Sequence, residues 1–201
     1  MTSVLLVLLF APAPAPTGAA AGATPRPRVA ALRKNGPDPL FHVLDHWSRS
    51  IPERLRITAS AANLLDWLTA DLDLLVVDGA AAADLSEAAR NAVLAWVRAG
   101  GKLAVFGLEP TAAPWPSAAI AYQLGTAVGD VQFTSEDHPL TQRFAGTLVP
   151  ARGSMCLPLL AAGWHVLARC EPGDAIALHG EGRGEIAVLQ LPVEIYEART
   201  R

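Results

Sequence analysis

Carboxylate and histidine side chains stand where the sequence predicts the ends of two buried strands. Asp78 follows the apolar run that ends at Val77, and Glu109 follows a second run that ends at Gly107. Open α/β sheets place ligands at the carboxyl ends of their strands. Together with His138 from a later turn, Asp78 and Glu109 are therefore the candidate ligand-binding residues. The alternative is that both carboxylates are ordinary turn and loop residues.

A histidine pair lies at His42 and His46, with Asp45 between them. At i, i+4 spacing both imidazoles share one face of a helix, as in the zinc-binding H-E-x-x-H pattern. The glutamate base of that pattern and a third ligand are missing here. We therefore predict a solvated helix face, no metal site and no cofactor.

The two cysteines, Cys156 and Cys170, are 13 residues apart, with no spacing typical of zinc ligands. In an exported chain they permit one disulfide; in a cytosolic chain they are two buried small hydrophobes. As a nucleophile, Cys156 lacks the preceding buried strand that would present a reactive thiolate. The prediction is a disulfide or a buried thiol, with no catalytic cysteine.

Composition narrows the class of protein and of partner. The chain has 201 residues, of which 51% are hydrophobic and 17% charged, so it has ample material for one core. A net charge of −3 without a basic patch gives no electrostatic basis for binding nucleic acid. We expect a protein partner or a small ligand, no nucleic acid and no transmembrane span.

The first 27 residues differ in composition from the rest. Val4 to Phe10 is an apolar run too short to span a bilayer, and an Ala/Pro tract follows it. The pattern predicts a signal peptide over residues 1–23, cleaved after Ala21-Gly22-Ala23, then a spacer at 24–27 and one domain at 28–201. The protein is then exported, to the periplasm or beyond the cell. The alternative is a first buried strand, since no Lys or Arg precedes Val4.

The elements that must position Asp78 and Glu109 are a strand, a helix and a second strand. Leu72 to Val77 is a continuous apolar run, as expected for a strand buried on both faces of a parallel sheet. Ser86 is a suitable helix N-cap, and Gly100 follows the helix where a left-handed residue is favoured. Lys102 to Gly107 is the next strand, parallel to the first.

The remaining pattern predicts a single α/β domain of flavodoxin-like, three-layer architecture, with a mainly parallel sheet, helices on both faces and a C-terminal β hairpin. Its other predicted parts are strands at Arg28–Leu32, Leu55–Thr58, Val128–Phe133, His165–Ala168, Ala175–Leu178 and Ile186–Leu191, and helices at Leu40–Trp47, after Asn63 as cap, and at Ala118–Leu124 before Gly125.

The stretch LDLLVVDGAAAADLSEAARNAVLAWVRAGGKLAVFG resembles the central unit of class I glutamine-amidotransferase-like domains. Three later pieces agree in order and spacing: A-Y-Q-L-G at 121–125, where these domains often end a helix, D-H-P-L-T at 137–141 and H-G-E-G-R-G-E-I at 179–186. The resemblance covers roughly residues 72–192. Within that superfamily, the sequence is most similar to non-enzymatic or uncharacterised branches. These include extracytoplasmic domains, gliding-motility-type auxiliary domains of ABC transport systems and the trehalose-utilisation-like branch.

Active members of that superfamily carry a cysteine on the turn after the strand that ends here at Gly107. This sequence has Leu108-Glu109-Pro110 instead, and the family's His-x-Glu pair is matched by His179 and Glu181, expected in a hairpin loop. The resemblance thus implies a non-catalytic, exported binding or assembly module. The alternatives are a hydrolase or sugar-handling enzyme that uses carboxylate and histidine residues at the sheet edge, and a transport-system accessory domain.

Overall fold

The computed structural model describes residues 28–34, 55–69, 71–108, 115–116, 120–134, 148–150, 153–160, 163–171 and 173–190, with the backbone alone at 120–129, 148–150 and 153–160. The predicted signal peptide, the spacer, the helix at 40–47 and the turn at 137–141 lie outside these residues. The elements are β1 (Val29–Leu32), β2 (Leu55–Thr58), α1 (Ala61–Trp67), β3 (Leu74–Asp78), α2 (Gly79–Ala83), α3 (Glu87–Arg98), β4 (Lys102–Phe106), β5 (Ile120–Phe133), β6 (Leu148–Pro150), β7 (Gly153–Leu160), β8 (Trp164–Glu171), β9 (Gly173–Glu181) and β10 (Gly184–Leu189).

The described strands form one mixed sheet in the order β2-β1-β3-β4-β10-β9-β8-β5-β6, and β7 pairs with β5. From β2 to β10 neighbouring strands are parallel, and beyond β10 they are antiparallel. The predicted α/β fold and its C-terminal hairpin, β9–β10, are confirmed. The antiparallel part is larger than that hairpin alone.

The strand–helix–strand unit is β3, α3 and β4, with Leu74 paired to Lys102 and Asp78 to Phe106. As predicted, Ser86 caps α3, and its Oγ accepts a hydrogen bond from the Ala89 amide at 3.2 Å. Capping satisfies one of the amides that a helix start leaves without a partner. The parallel pairing of β3 and β4 follows from the crossover helix between them.

The core lies between the parallel strands and the described helices. Alternate residues of each strand face α1, α2 and α3, because successive side chains of a strand point to opposite sides of the sheet. In β1, β3, β4 and β10 the opposite face is buried as well, as their apolar runs predict, whereas β2, at the edge of the sheet, is largely exposed. The residues that make up the helix-facing core include Leu64, Leu75, Val77, Ala89, Val93, Val97, Leu103, Val105, Ile186 and Val188.

Two local predictions are wrong. The N-cap residue of α1 is Ser60 and not Asn63, which lies inside the helix and donates from its Nδ2 to the Thr58 hydroxyl at 3.5 Å. The predicted helix at 118–124 is instead the start of β5, which runs through Gly125 to Phe133. Pairing with β7 over residues 120–127 satisfies this backbone, and such tertiary context overrides local helical spacing.

The turn of the β9–β10 hairpin packs on the end of α3. The amide of Arg183 donates to the Arg98 carbonyl at 3.1 Å, and the Arg183 guanidinium donates to the Ala99 carbonyl at 2.8 Å. These bonds satisfy carbonyls that a helix end leaves without intrahelical partners.

None of the described helices is long and apolar enough to cross a membrane.

Candidate functional site

Asp78 ends β3 and is almost fully buried, with 4% of its surface exposed. One carboxylate oxygen accepts from the Ala80 amide in the first turn of α2, and the other accepts from the Lys34 amide after β1, both at 3.4 Å. The side chain therefore joins the carboxyl ends of two neighbouring strands. It stands at the ligand edge of the sheet, as predicted, but both oxygens already serve the backbone.

The other two candidate ligand-binding residues, Glu109 and His138, lie outside the described residues. A cluster of Asp78, Glu109 and His138 thus remains a prediction. Besides Asp78 and its partners, the structure describes the turn after β4 and the residue that follows β10 at this edge.

The turn after β4 is shaped by two glycines. Gly107 adopts a positive φ of 61°, a conformation that glycine tolerates and other residues rarely adopt. A Cβ built on Gly79, the first residue of α2, would lie 1.9 Å from the Gly107 carbonyl oxygen. The start of α2 therefore packs directly on this turn, and only glycine fits at residue 79.

Gln190 holds the turn from the other side. Its Oε1 accepts from the Leu108 amide at 2.5 Å, and its Nε2 donates to the Leu108 carbonyl at 2.8 Å. The backbone amide of Gln190 donates to the Ala175 carbonyl at 2.7 Å. Only 3% of Gln190 is exposed, so these bonds form away from water. Gln190 falls inside the predicted strand Ile186–Leu191 and is assigned no role there; its one signal is a polar side chain near the end of an apolar run.

The contacts of Leu108 decide what this turn can do chemically. A nucleophile on such a turn needs an accessible hydroxyl or thiol. Leu108 has an aliphatic side chain that is 3% exposed and belongs to the same core cluster as Trp115. Its amide is engaged by Gln190. The turn is built as part of the core.

The prediction that the His-x-Glu match lies in a hairpin loop is wrong. His179 and Glu181 belong to β9, and the turn consists of Gly182 and Arg183. His179 stacks on Trp164 with 4.9 Å between ring centroids, and its Nε2 lies 3.5 Å from a Glu181 oxygen. Glu181 in turn pairs with Arg98 at 2.6 Å.

This group lies far from the turn after β4. His179 pairs with Ile186, which pairs with Leu103 near the amino end of β4, whereas Leu108 follows its carboxyl end. The Nδ1 of His179 lies 3.2 Å from the Gly163 carbonyl oxygen, to which it donates in the tautomer protonated at Nδ1. His179 and Glu181 thus link the β9–β10 hairpin to Arg98 of α3, and they lie too far from Leu108 to act there.

Two further ionisable groups, Glu185 and Cys170, have shifted pKa values. Burial raises the pKa of the Glu185 carboxyl, and the neighbouring Lys102 charge partly offsets this rise. Cys170 is buried, and burial raises the pKa of its thiol, with smaller effects from the Asp130 and Glu171 charges. The side chain of Cys156 lies outside the description, so the disulfide stays a prediction. Within the described ranges, no three His, Cys, Asp or Glu residues are grouped to hold a metal ion.

No protein-family model and no curated protein sequence matches the chain significantly. Solved structures do match it. A cytoplasmic protein from Salmonella typhimurium is 11% identical, with a TM-score of 0.57, over 82% of this chain and 87% of that one. A putative ThuA-like protein from Bacteroides uniformis is 12% identical, with a TM-score of 0.52, over 87% and 86%.

A GH42 β-galactosidase from G. stearothermophilus is 12% identical, with a TM-score of 0.57, over 86% of this chain. The chain spans only 28% of that enzyme, and 30% of a second β-galactosidase, from Rahnella sp. R3. At these identities the likeness shows the fold alone. The protein has an α/β fold similar to that of this putative ThuA-like protein and of the matched part of the β-galactosidases.

Proposed function

We propose that this chain is a non-catalytic, exported binding or assembly module with an amidotransferase-like fold. The observation that carries the proposal is the pair of hydrogen bonds from Gln190 to the backbone of Leu108. They hold a buried leucine in the turn on which active members of the superfamily are expected to carry their cysteine. Because the Leu108 amide is bonded to Gln190 and its side chain packs in the core, the turn has a structural role.

The β-galactosidase comparison supports a role as a module. In those enzymes, the matched fold makes up less than a third of a longer chain. A unit of this fold is therefore compatible with work beside other domains, and function resides in the sites that a fold carries rather than in the fold itself. A transport-system accessory role is one form of such assembly.

The absence of catalysis is tested by offering the purified full chain glutamine, with ammonia as the readout, and a panel of nitrophenyl glycosides. We expect no turnover above a protein-free blank. The matched variant is Asp78→Asn, because Asp78 is the described carboxylate at the ligand edge. Turnover by the natural protein that Asp78→Asn abolishes would refute the proposal and support the sugar-handling or hydrolase alternative.

Export is tested by determining the amino terminus of the protein isolated from its native host. We expect a mature chain that begins at Thr24, because Ala21-Gly22-Ala23 provides small residues at the cleavage site. As a control, Leu6→Arg interrupts the apolar run and should leave the full-length chain uncleaved. An intact Met1 in the natural protein would count against export by a cleaved signal.

A further inference from the structure

A cavity of about 290 Å³ opens at the amino ends of β1, β2 and β3, the sheet edge opposite to Asp78 and Leu108. Ligand pockets typically enclose roughly 300–1,000 Å³, so this cavity suits a ligand no larger than a monosaccharide. The residues that line it and could bind a ligand are Arg28, Arg56, Trp67, Thr69 and Asp71, above Leu72.

Arg56 is the cation whose position is best defined for a ligand. It projects from β2, and its guanidinium carbon lies 5.9 Å from the centre of the Trp67 ring, within cation–π distance. Among the described residues, no carboxylate pairs with Arg56. A guanidinium held over an aromatic face keeps its N–H donors available for an oxyanion, which it binds through two parallel hydrogen bonds.

Arg28 supplies a second cation from the chain just before β1. Its Nη1 lies 3.0 Å from an Asp71 oxygen, and its amide donates to Asp73 at 2.8 Å. The hydrogen bond and charge of Arg28 lower the pKa of Asp71, so this carboxylate is ionised at neutral pH. Asp71 is 77% exposed, and exposed ion pairs of this kind contribute little to stability and exchange partners readily.

The wall between these cations is fixed by the backbone. The Thr69 carbonyl accepts from the Trp96 indole of α3 at 3.2 Å and from the Leu72 amide at 3.1 Å. The Thr69 amide donates to the Trp67 carbonyl at 2.8 Å. A pocket wall that is already ordered loses little conformational freedom when a ligand binds.

From this arrangement we propose that the cavity is a binding site for a small oxyanion, a carboxylate or a phosphate ester carried on a body of monosaccharide size. The lining side chains carry two positive charges and one negative charge, which leaves one positive charge for the ligand. Arg56 binds the anionic group, Arg28 exchanges part of its contact with Asp71 for it, and Trp67 keeps Arg56 in place.

The test titrates the full chain by calorimetry at low salt with glucuronate, with glucose 6-phosphate and with neutral glucose. We expect the two anions to bind and glucose not to bind. Arg56→Gln should weaken anion binding by about tenfold, the loss expected for a charged hydrogen bond. Arg56→Lys keeps the positive charge but loses the paired N–H donors of the guanidinium, so its affinity for the anions should lie between those of the natural chain and Arg56→Gln. Preference for one anion over the other identifies carboxylate or phosphate as the natural group.

Arg169→Gln is the matched control, since Arg169 is an exposed arginine of β8 that pairs with Asp174 and does not line the cavity. It should bind the anions as the natural chain does. The proposal is overturned if neither anion binds or if glucose binds equally well. It is also overturned if Arg169→Gln weakens anion binding as much as Arg56→Gln does. The site does not depend on the absence of catalysis, so a failed titration and a positive activity assay remain separate outcomes.

Discussion

Replacing Gly79 by alanine is expected to lower the free energy of unfolding by about 3 kcal/mol or more, at the upper end of what overpacking costs. The added Cβ would lie 1.9 Å from the Gly107 carbonyl oxygen and 2.8 Å from the Leu108 Cα. Both are backbone atoms, and the turn that contains them is held by bonds to Leu189 and Gln190. The turn cannot move away from the added Cβ without breaking these bonds.

The measurement is urea unfolding of the full chain, followed by circular dichroism. Gly180→Ala is the control, because Gly180 lies in β9 and a Cβ there meets no atom within 4 Å. That variant should stay within about 0.5 kcal/mol of the natural chain. Equal midpoints for the two variants would show that α2 does not pack on the turn as closely as described.

Replacing Gln190 by leucine should have the second large effect, a loss of about 2–5 kcal/mol from leaving two buried backbone groups without partners. Leucine has similar volume but can neither accept from the Leu108 amide nor donate to its carbonyl. Water cannot replace the lost bonds easily, because Gln190 and Leu108 are each only 3% exposed. Urea unfolding again measures the loss.

Gln132→Leu is the matched control for this substitution. Gln132 is an exposed residue of β5, so the same change of side chain there should alter stability by about 0.5 kcal/mol or less. If Gln190→Leu unfolds at the same urea concentration as Gln132→Leu, the bonds to Leu108 do not hold the turn. The structural basis of the proposed function would then be lost as well.

Local pattern predicted the strand–helix–strand unit, because its signals lie within the unit itself. The apolar run before Asp78, the Ser86 cap and the glycine after α3 each specify one boundary. The parallel pairing then follows from the length of the crossover helix. The hairpin β9–β10 was predictable for the same reason, since a glycine-rich turn separates two apolar runs.

Contacts between distant parts of the chain could not be predicted in this way. The pattern around Gln190 does not name Leu108 as its partner, and the pattern around Arg56 does not place it beside Arg28 and Asp71. Both facts depend on the order of strands in the sheet. The helix predicted at 118–124 failed likewise, because pairing with β7 decides the conformation of that segment.

The position of β10 beside β4 also constrains the order of folding. Lys102 pairs with Leu74 on one side and Glu185 on the other, roughly 30 and 80 residues away along the chain, and long loops close more slowly than short ones. The β3–α3–β4 unit can therefore assemble first, with one flank of β4 unpaired until β10 arrives. An open strand edge of this kind is a template for association with other chains. The last hairpin thus both completes the sheet and protects its middle from aggregation.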